Sequence, residues 1–143
     1  MIKLLSILSF CLVFVSCSPD RVSIDELTNK GTAELPLMYY DGKLFNGIGF
    51  DFYSNGQLAE QNTYEDGKLN GTSRVWHENG QLWYQVNYKN GKLNGAWKTW
   101  YENGQLKMQG PHTNGKLNGL FQYWDENGQL IEQSNWKDGV QLN

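Results

Sequence analysis

From Tyr39 onward, apolar and polar residues alternate in runs of about six to nine, each closed by a turn signal. Runs of that length, separated by Asn-Gly or Asp-Gly, predict strands and are too short for helices. Two turn types take turns along the chain. One is Glu-Asn-Gly-Gln, as at 78–81, and the other is Asp-Gly-Lys or Asn-Gly-Lys, as at 66–68. Asn or Asp followed by Gly supplies the positive φ values that tight hairpin turns need. The expected fold is therefore all-β: an elongated antiparallel β-hairpin meander with two strands per unit.

The pattern repeats. Asn-Gly-Gln-Leu occurs four times, with Gly56, Gly80, Gly104 and Gly128 spaced by 24 residues. Gly-Lys-Leu recurs at Gly42, Gly67, Gly91 and Gly115 with spacings of 25, 24 and 24, and the extra residue is Phe45. Units run over about 42–66, 67–90, 91–114 and 115–138, with a partial unit at 139–143. Thirteen of the 16 glycines fall in three repeat columns, which makes them architectural. A period of this size marks an array in which each unit stacks on the next. One unit alone buries too few side chains to offset the ordering of its own backbone.

Three apolar columns set the expected register. Phe52, Trp76, Trp100 and Trp124 form the first, and Leu58, Leu82, Leu106 and Leu130 form the second. A three-residue loop between them pairs these columns directly, whereas a two-residue loop would put them on opposite faces. Burial favours the first arrangement, a type I turn followed by a glycine bulge. Tyr64, Tyr88, His112 and Trp136 form the third column, and Leu69, Leu93 and Leu117 oppose its first three members across the next turn. All of these are expected on one apolar spine. Trp83, Trp97, Phe121, Tyr123 and Ile131 then fall on the opposite face. The first four make the expected partner-binding surface, since an exposed aromatic patch marks a site of association. A rolled sheet or pairing with a second copy would bury the same residues. Gln61, Gln85, Gln109 and Gln133 read as a solvent-facing stripe, with a side-chain amide ladder as the alternative.

The N-terminus changes the picture of where the array works. A short positive start, Met1-Ile2-Lys3, precedes an apolar run from Leu4 to Val15. Its length and flanks predict a signal peptide over 1–16, since a membrane span needs about 18 or more apolar residues. Phe14-Val15-Ser16-Cys17 resembles a bacterial lipobox, which implies a lipidated Cys17 followed by a tether over 17–38. No later cysteine could pair with Cys17. The expected location is a membrane of the bacterial cell envelope, reached by secretion across the inner membrane. It is the outer membrane in a Gram-negative cell, because Ser18 is not the aspartate read as inner-membrane retention.

Composition adds exclusions. Aromatics at 14% and 16 glycines against three prolines are too aromatic for a disordered chain. A net charge of -3 gives no basic footprint, so no nucleic-acid partner is expected. Negative mean hydropathy suits a thin sheet with one wet face.

The stretch Gly95-Ala96-Trp97-Lys98-Thr99-Trp100-Tyr101-Glu102-Asn103-Gly104-Gln105-Leu106, with Asn90-Gly91-Lys92-Leu93-Asn94 before it, resembles the bacterial MORN-repeat variant, the YwqK-type antitoxin family. The resemblance covers about 39–143, and 22–37 resembles the leader that precedes such arrays. It implies an all-β scaffold on secreted or membrane proteins and brings no active-site residues. The residues agree. His77 and His112 lie in different units without further ligands, so no metal is expected. Glu65-Asp66 and Asp125-Glu126 sit at turns, with no cleft to make them a glycosidase pair. No nucleophile elbow or phosphate loop is present. The expectation is a non-enzymatic scaffold without cofactors that binds a protein partner, in an antitoxin or immunity role in one version. A glycan or cell-wall binder and a ligand-free spacer are the alternatives.

Overall fold

The computed structural model describes residues 19–33 and 36–142. The signal segment and Cys17 lie outside them. The strands are β1 (Arg21–Ser23), β2 (Thr28–Asn29), β3 (Met38–Tyr40), β4 (Lys43–Leu44), β5 (Gly47–Phe52), β6 (Leu58–Glu65), β7 (Lys68–Leu69) and β8 (Gly71–Trp76). They continue with β9 (Leu82–Lys89), β10 (Lys92–Trp100), β11 (Leu106–Thr113), β12 (Lys116–Leu117), β13 (Gly119–Trp124), β14 (Leu130–Lys137) and β15 (Val140–Leu142). The main sheet has the order β1-β5-β6-β8-β9-β10-β11-β13-β14-β15, with β7 on β6 and β12 on β11; β2, β3 and β4 form a small second sheet. The chain is thus an all-β array of hairpins. Its leader departs from the antiparallel pattern, because β1 joins β5 in parallel.

Both turn types follow their local chemistry. Gly80 has φ +84° and its N–H donates to the His77 carbonyl at 2.8 Å, while the His77 N–H donates to the Gln81 carbonyl at 2.8 Å. This is the three-residue loop with a glycine bulge, and it pairs Phe52 with Leu58, Trp76 with Leu82, Trp100 with Leu106 and Trp124 with Leu130. At the other turns both central residues have positive φ, 51° at Asn90 and 77° at Gly91. That is a type I′ turn, and it sets Leu69 opposite Tyr64, Leu93 opposite Tyr88 and Leu117 opposite His112.

The expected pairs form, but they do not share one spine. Thr99 pairs with Met108 while Trp100 pairs with Leu106, so each hairpin carries a bulge beside its ring–leucine pair. Side chains alternate along a strand. Trp100 is therefore in phase with Lys98, and Trp97 is in phase with Gly95, the partner of His112. The third column shares one face with Trp97 and Phe121, which we call the aromatic face. The first column lies on the other face with the glutamine row. One extra residue per hairpin separates columns that strict alternation would have joined. Burial follows this division: Phe121 is 2% exposed and Phe52 is 52% exposed.

The glutamine row is more than a wetted stripe. The Arg74 Nε–H donates to Gln85 Oε1 at 2.9 Å, and Gln109 Nε2 donates to Gln122 Oε1 at 3.1 Å. Successive units are also tied along both edges. Asn55, Asn79 and Asn103 each donate from Nδ2 to the carbonyl of Glu78, Glu102 and Glu126, at 3.1, 2.9 and 3.0 Å. On the other edge, the N–H groups of Gly91, Gly115 and Gly139 donate to the carbonyls of Leu69, Leu93 and Leu117 at 2.8–2.9 Å. These bonds supply the neighbour coupling that a stacked array requires.

The leader closes the first unit. Phe45, the residue that lengthens the first repeat spacing, is 1% exposed and forms a cluster with Val22 and Tyr64. Its ring lies 6.2 Å from Tyr40 and 5.8 Å from Tyr64. Leu27 and Met38 pack against the cluster. The inserted residue is thus the anchor that seats the leader on the array.

Candidate functional site

Residues of different size occupy equivalent positions along the aromatic face, and this variation creates the site. In the later units the face is closed by rings. Trp97 lies 5.2 Å from His112, His112 lies 5.6 Å from Phe121, and Phe121 lies 6.4 Å from Trp136. Gly110 stands opposite Trp97 and leaves room for these rings. At the start of the array the same rows hold Gly49 and Asn62 of the first unit and Ser73 of the second, closed by hydrogen bonds. Ser73 Oγ donates to Asn62 Oδ1 at 2.5 Å, and Asn62 Nδ2 donates to Glu60 Oε1 at 2.5 Å.

Between the two packed regions the face opens. Tyr84, Val86 and Tyr88 of β9 and Leu93, Trp97 and Thr99 of β10 line a cleft of about 320 Å³, with Trp83 at its rim. Trp83 stands at the bulge between Leu82, which pairs with Trp76, and Tyr84, which pairs with Val75. The bulge brings its ring edge-on to Tyr84 at 5.4 Å, and the ring also lies 5.9 Å from His77. Trp83 keeps 48% of its surface exposed. Burial raises the pKa of Tyr84 and of Tyr88, and the nearby Glu60 carboxylate raises both further. Both phenols stay protonated and available as donors.

The expected partner surface is not assembled as a single exposed patch. Phe121 is interior, because its β13 phase puts it beside His112 and Trp136. Trp97 is a half-buried wall of the cleft and Tyr123 is half-buried. Trp83 and Ile131 are exposed. Trp83 and Trp97 line one cleft together with Tyr84, which stands in no repeating apolar column, and Tyr88, a member of the third column. The sequence signal that joins them is phase: Tyr84, Val86 and Tyr88 alternate on one side of β9.

The histidines have structural places. His77 Nε2 lies 3.3 Å from the Trp100 carbonyl oxygen, where Tyr53 and Tyr101 hydroxyls donate to the Trp76 and Trp124 carbonyls at 2.5 and 2.9 Å. His112 is 5% exposed, and burial lowers its pKa. Its Nδ1 and the Trp97 Nε1 are buried and find no hydrogen-bond partner among the described residues. Among the described residues, no three His, Cys, Asp or Glu side chains come together as a metal site. What the arrangement offers is a concave aromatic surface that suits binding.

The family described as MORN repeat variant matches residues 45–68, 69–90, 93–114 and 117–138. No curated protein matches the chain.

Proposed function

This chain belongs to the MORN repeat-variant family, and on that premise we propose that it is a non-catalytic module that binds a protein partner through the cleft at Trp83 and Trp97. The observation that carries the reading is the half-exposed Trp83 ring over an apolar cleft in an otherwise packed face. A large ring left partly in water at the rim of a cleft is the kind of anchor that dominates protein interfaces. The signal-like segment and Cys17 support a tether to the cell envelope through lipid. An immunity role, with a toxin as partner, is one form of this reading.

The test is a pull-down from the source cell's protein and cell-wall fractions with wild type and Trp83→Ala. One protein retained by wild type and lost by the variant is the expected result. Retention on glycan or cell wall in place of protein would overturn it in favour of a carbohydrate binder. Nothing retained by either protein would leave a spacer, and a protein retained equally by both would overturn the assignment to this cleft. For the tether, Cys17→Ala should release the chain from the membrane fraction.

A further inference from the structure

The strand charges of the array are largely sorted by face, with Glu65, opposite Lys68, the one strand carboxylate in phase with the glutamine row among the described residues of β5 to β14. Along β6 to β14, Lys68, Arg74, Lys89, Lys92, Lys98, Lys116 and Lys137 all fall in phase with the glutamine row. Lys107 stands at the bulge, with Nζ 5.1 Å from the centre of the Tyr101 ring. The aromatic face has the opposite character. The row through the cleft runs Asp51, Glu60, Val75, Tyr84, Thr99, Met108, Tyr123, Glu132, set by successive strand pairings. It carries three carboxylates and no cation. Glu60 stands two strands from Tyr84 in that row, close enough for its charge to act on the phenols of Tyr84 and Tyr88.

We propose that the cleft takes a long cationic side chain, Lys or Arg, from a basic segment of a protein partner. The inference rests on the protein-binding reading above and names the chemistry of the partner. Three features of the site carry it. The aliphatic lining from Val86 and Leu93 suits the methylene stem of such a side chain. The rings of Trp83, Tyr84, Tyr88 and Trp97 line the same cleft, and a cation is attracted to the face of such a ring. Glu60, two strands from Tyr84 and held by the Asn62 amide, puts a negative charge on the same face, while the strand cations other than Lys107 at its bulge lie on the other. An acidic or neutral segment would gain the apolar contacts only. A basic one gains the aliphatic lining, the rings and the carboxylate together, so charge complementarity selects it.

The test is tryptophan fluorescence of the full-length chain in a non-ionic detergent, titrated with a lysine-rich octapeptide, a glutamate-rich octapeptide and tetramethylammonium chloride. The lysine peptide should saturate the signal and the glutamate peptide should not. Trp83→Ala should weaken the lysine peptide about tenfold, the scale of a partly desolvated cation–π contact, and Glu60→Gln about as much, the scale of one charge removed about 10 Å away at the effective dielectric of a protein surface. Glu65→Gln, at the exposed end of β6 on the glutamine face, should leave it within about twofold; circular dichroism checks that each variant is folded. Equal weakening by Glu65→Gln would show diffuse charge attraction and overturn the proposal. Tighter binding of tetramethylammonium than of the lysine peptide would overturn it in favour of a free quaternary amine. If a protein partner depends on Trp83 while no cation binds, the cation inference fails and the binding module stands.

Discussion

Gly110→Ala tests the packing of the aromatic face at one atom. Gly110 lies outside the repeat columns, buried on β11 opposite Trp97. A Cβ there would meet Phe121 at 2.2, 2.3 and 2.4 Å from three ring carbons, where ordinary contact begins near 3.4 Å. The ring would have to move by about 1 Å or more. It has little space to do so, because it is 2% exposed and flanked by His112 and Trp136. Overpacking of this kind costs about 1–3 kcal/mol, and displacing Phe121 forfeits part of the ~1.5–3 kcal/mol of its burial. Against this stands ~0.4–1 kcal/mol gained because alanine restricts the unfolded chain. The balance is a loss of about 2–3 kcal/mol, or roughly 6–12 °C in Tm for a domain of this size. Thermal and urea melts followed by near-ultraviolet circular dichroism read it directly. In a Phe121→Ala background the collision is gone, so adding Gly110→Ala should cost nothing or stabilise slightly. A single mutant that melts within 1 °C of wild type, or two substitutions that simply add, would refute the packing argument.

The remaining predictions address other levels of the structure. His112 has a pKa held below its ordinary value by burial, so the unfolded chain binds the proton more readily. The associated stability is fully present above about pH 6.5 and is lost as pH falls through the lowered folded value. His112→Phe, a ring like its column neighbours, should flatten this acid limb in urea melts between pH 7.5 and 5. An unchanged limb would place its origin elsewhere. Asn79→Ala removes both the Nδ2 bond to Glu102 and the Gln81 N–H bond to Oδ1. It should cost about 1 kcal/mol in chemical denaturation and speed amide exchange at Gln81. Asn90→Val forces a β-branched residue to φ 51° and should cost about 1–2 kcal/mol. No measurable loss would mean that the turn relaxes out of the I′ geometry.

What was legible in the sequence follows from where each constraint is written. The two turn types were readable because their φ values are a property of Asn-Gly and Asp-Gly themselves. The pairs Trp76 with Leu82 and Tyr88 with Leu93 follow from turn length alone. The face of each pair was not readable in the same way. It depends on one bulged residue per hairpin, which leaves pairing intact and reverses phase. The single spine and the single exposed patch of Trp83, Trp97, Phe121 and Tyr123 both failed on that residue. Phe45 showed the complementary case: its insertion was visible as an irregular spacing, but its burial required the leader to fold back in parallel on β5.

The cleft shows why the departures from a repeat carry its specificity. Columns fixed by turn geometry, such as Gly80 and Leu82, are the same in every unit and so cannot distinguish one partner from another. The row Asn62, Val86, Gly110, Ser134 changes at every unit, and so does the row Gly49, Ser73, Trp97, Phe121 beside it. Their volumes compensate only in part. Glycine at 110 is matched by two large rings, and Asn62 is matched by a hydroxyl it can bond. Val86 faces Trp97 on one side and Ser73 on the other, and the missing volume on its serine side stands beside the cleft. A larger side chain at Ser73 would test this reasoning. Ser73→Leu removes the bond to Asn62 Oδ1, so any loss of binding must be compared with Asn62→Ala, which removes the same bond without adding volume. Binding lost in Ser73→Leu and kept in Asn62→Ala would assign the cleft to the size mismatch, and equal loss in both would assign it to the polar network.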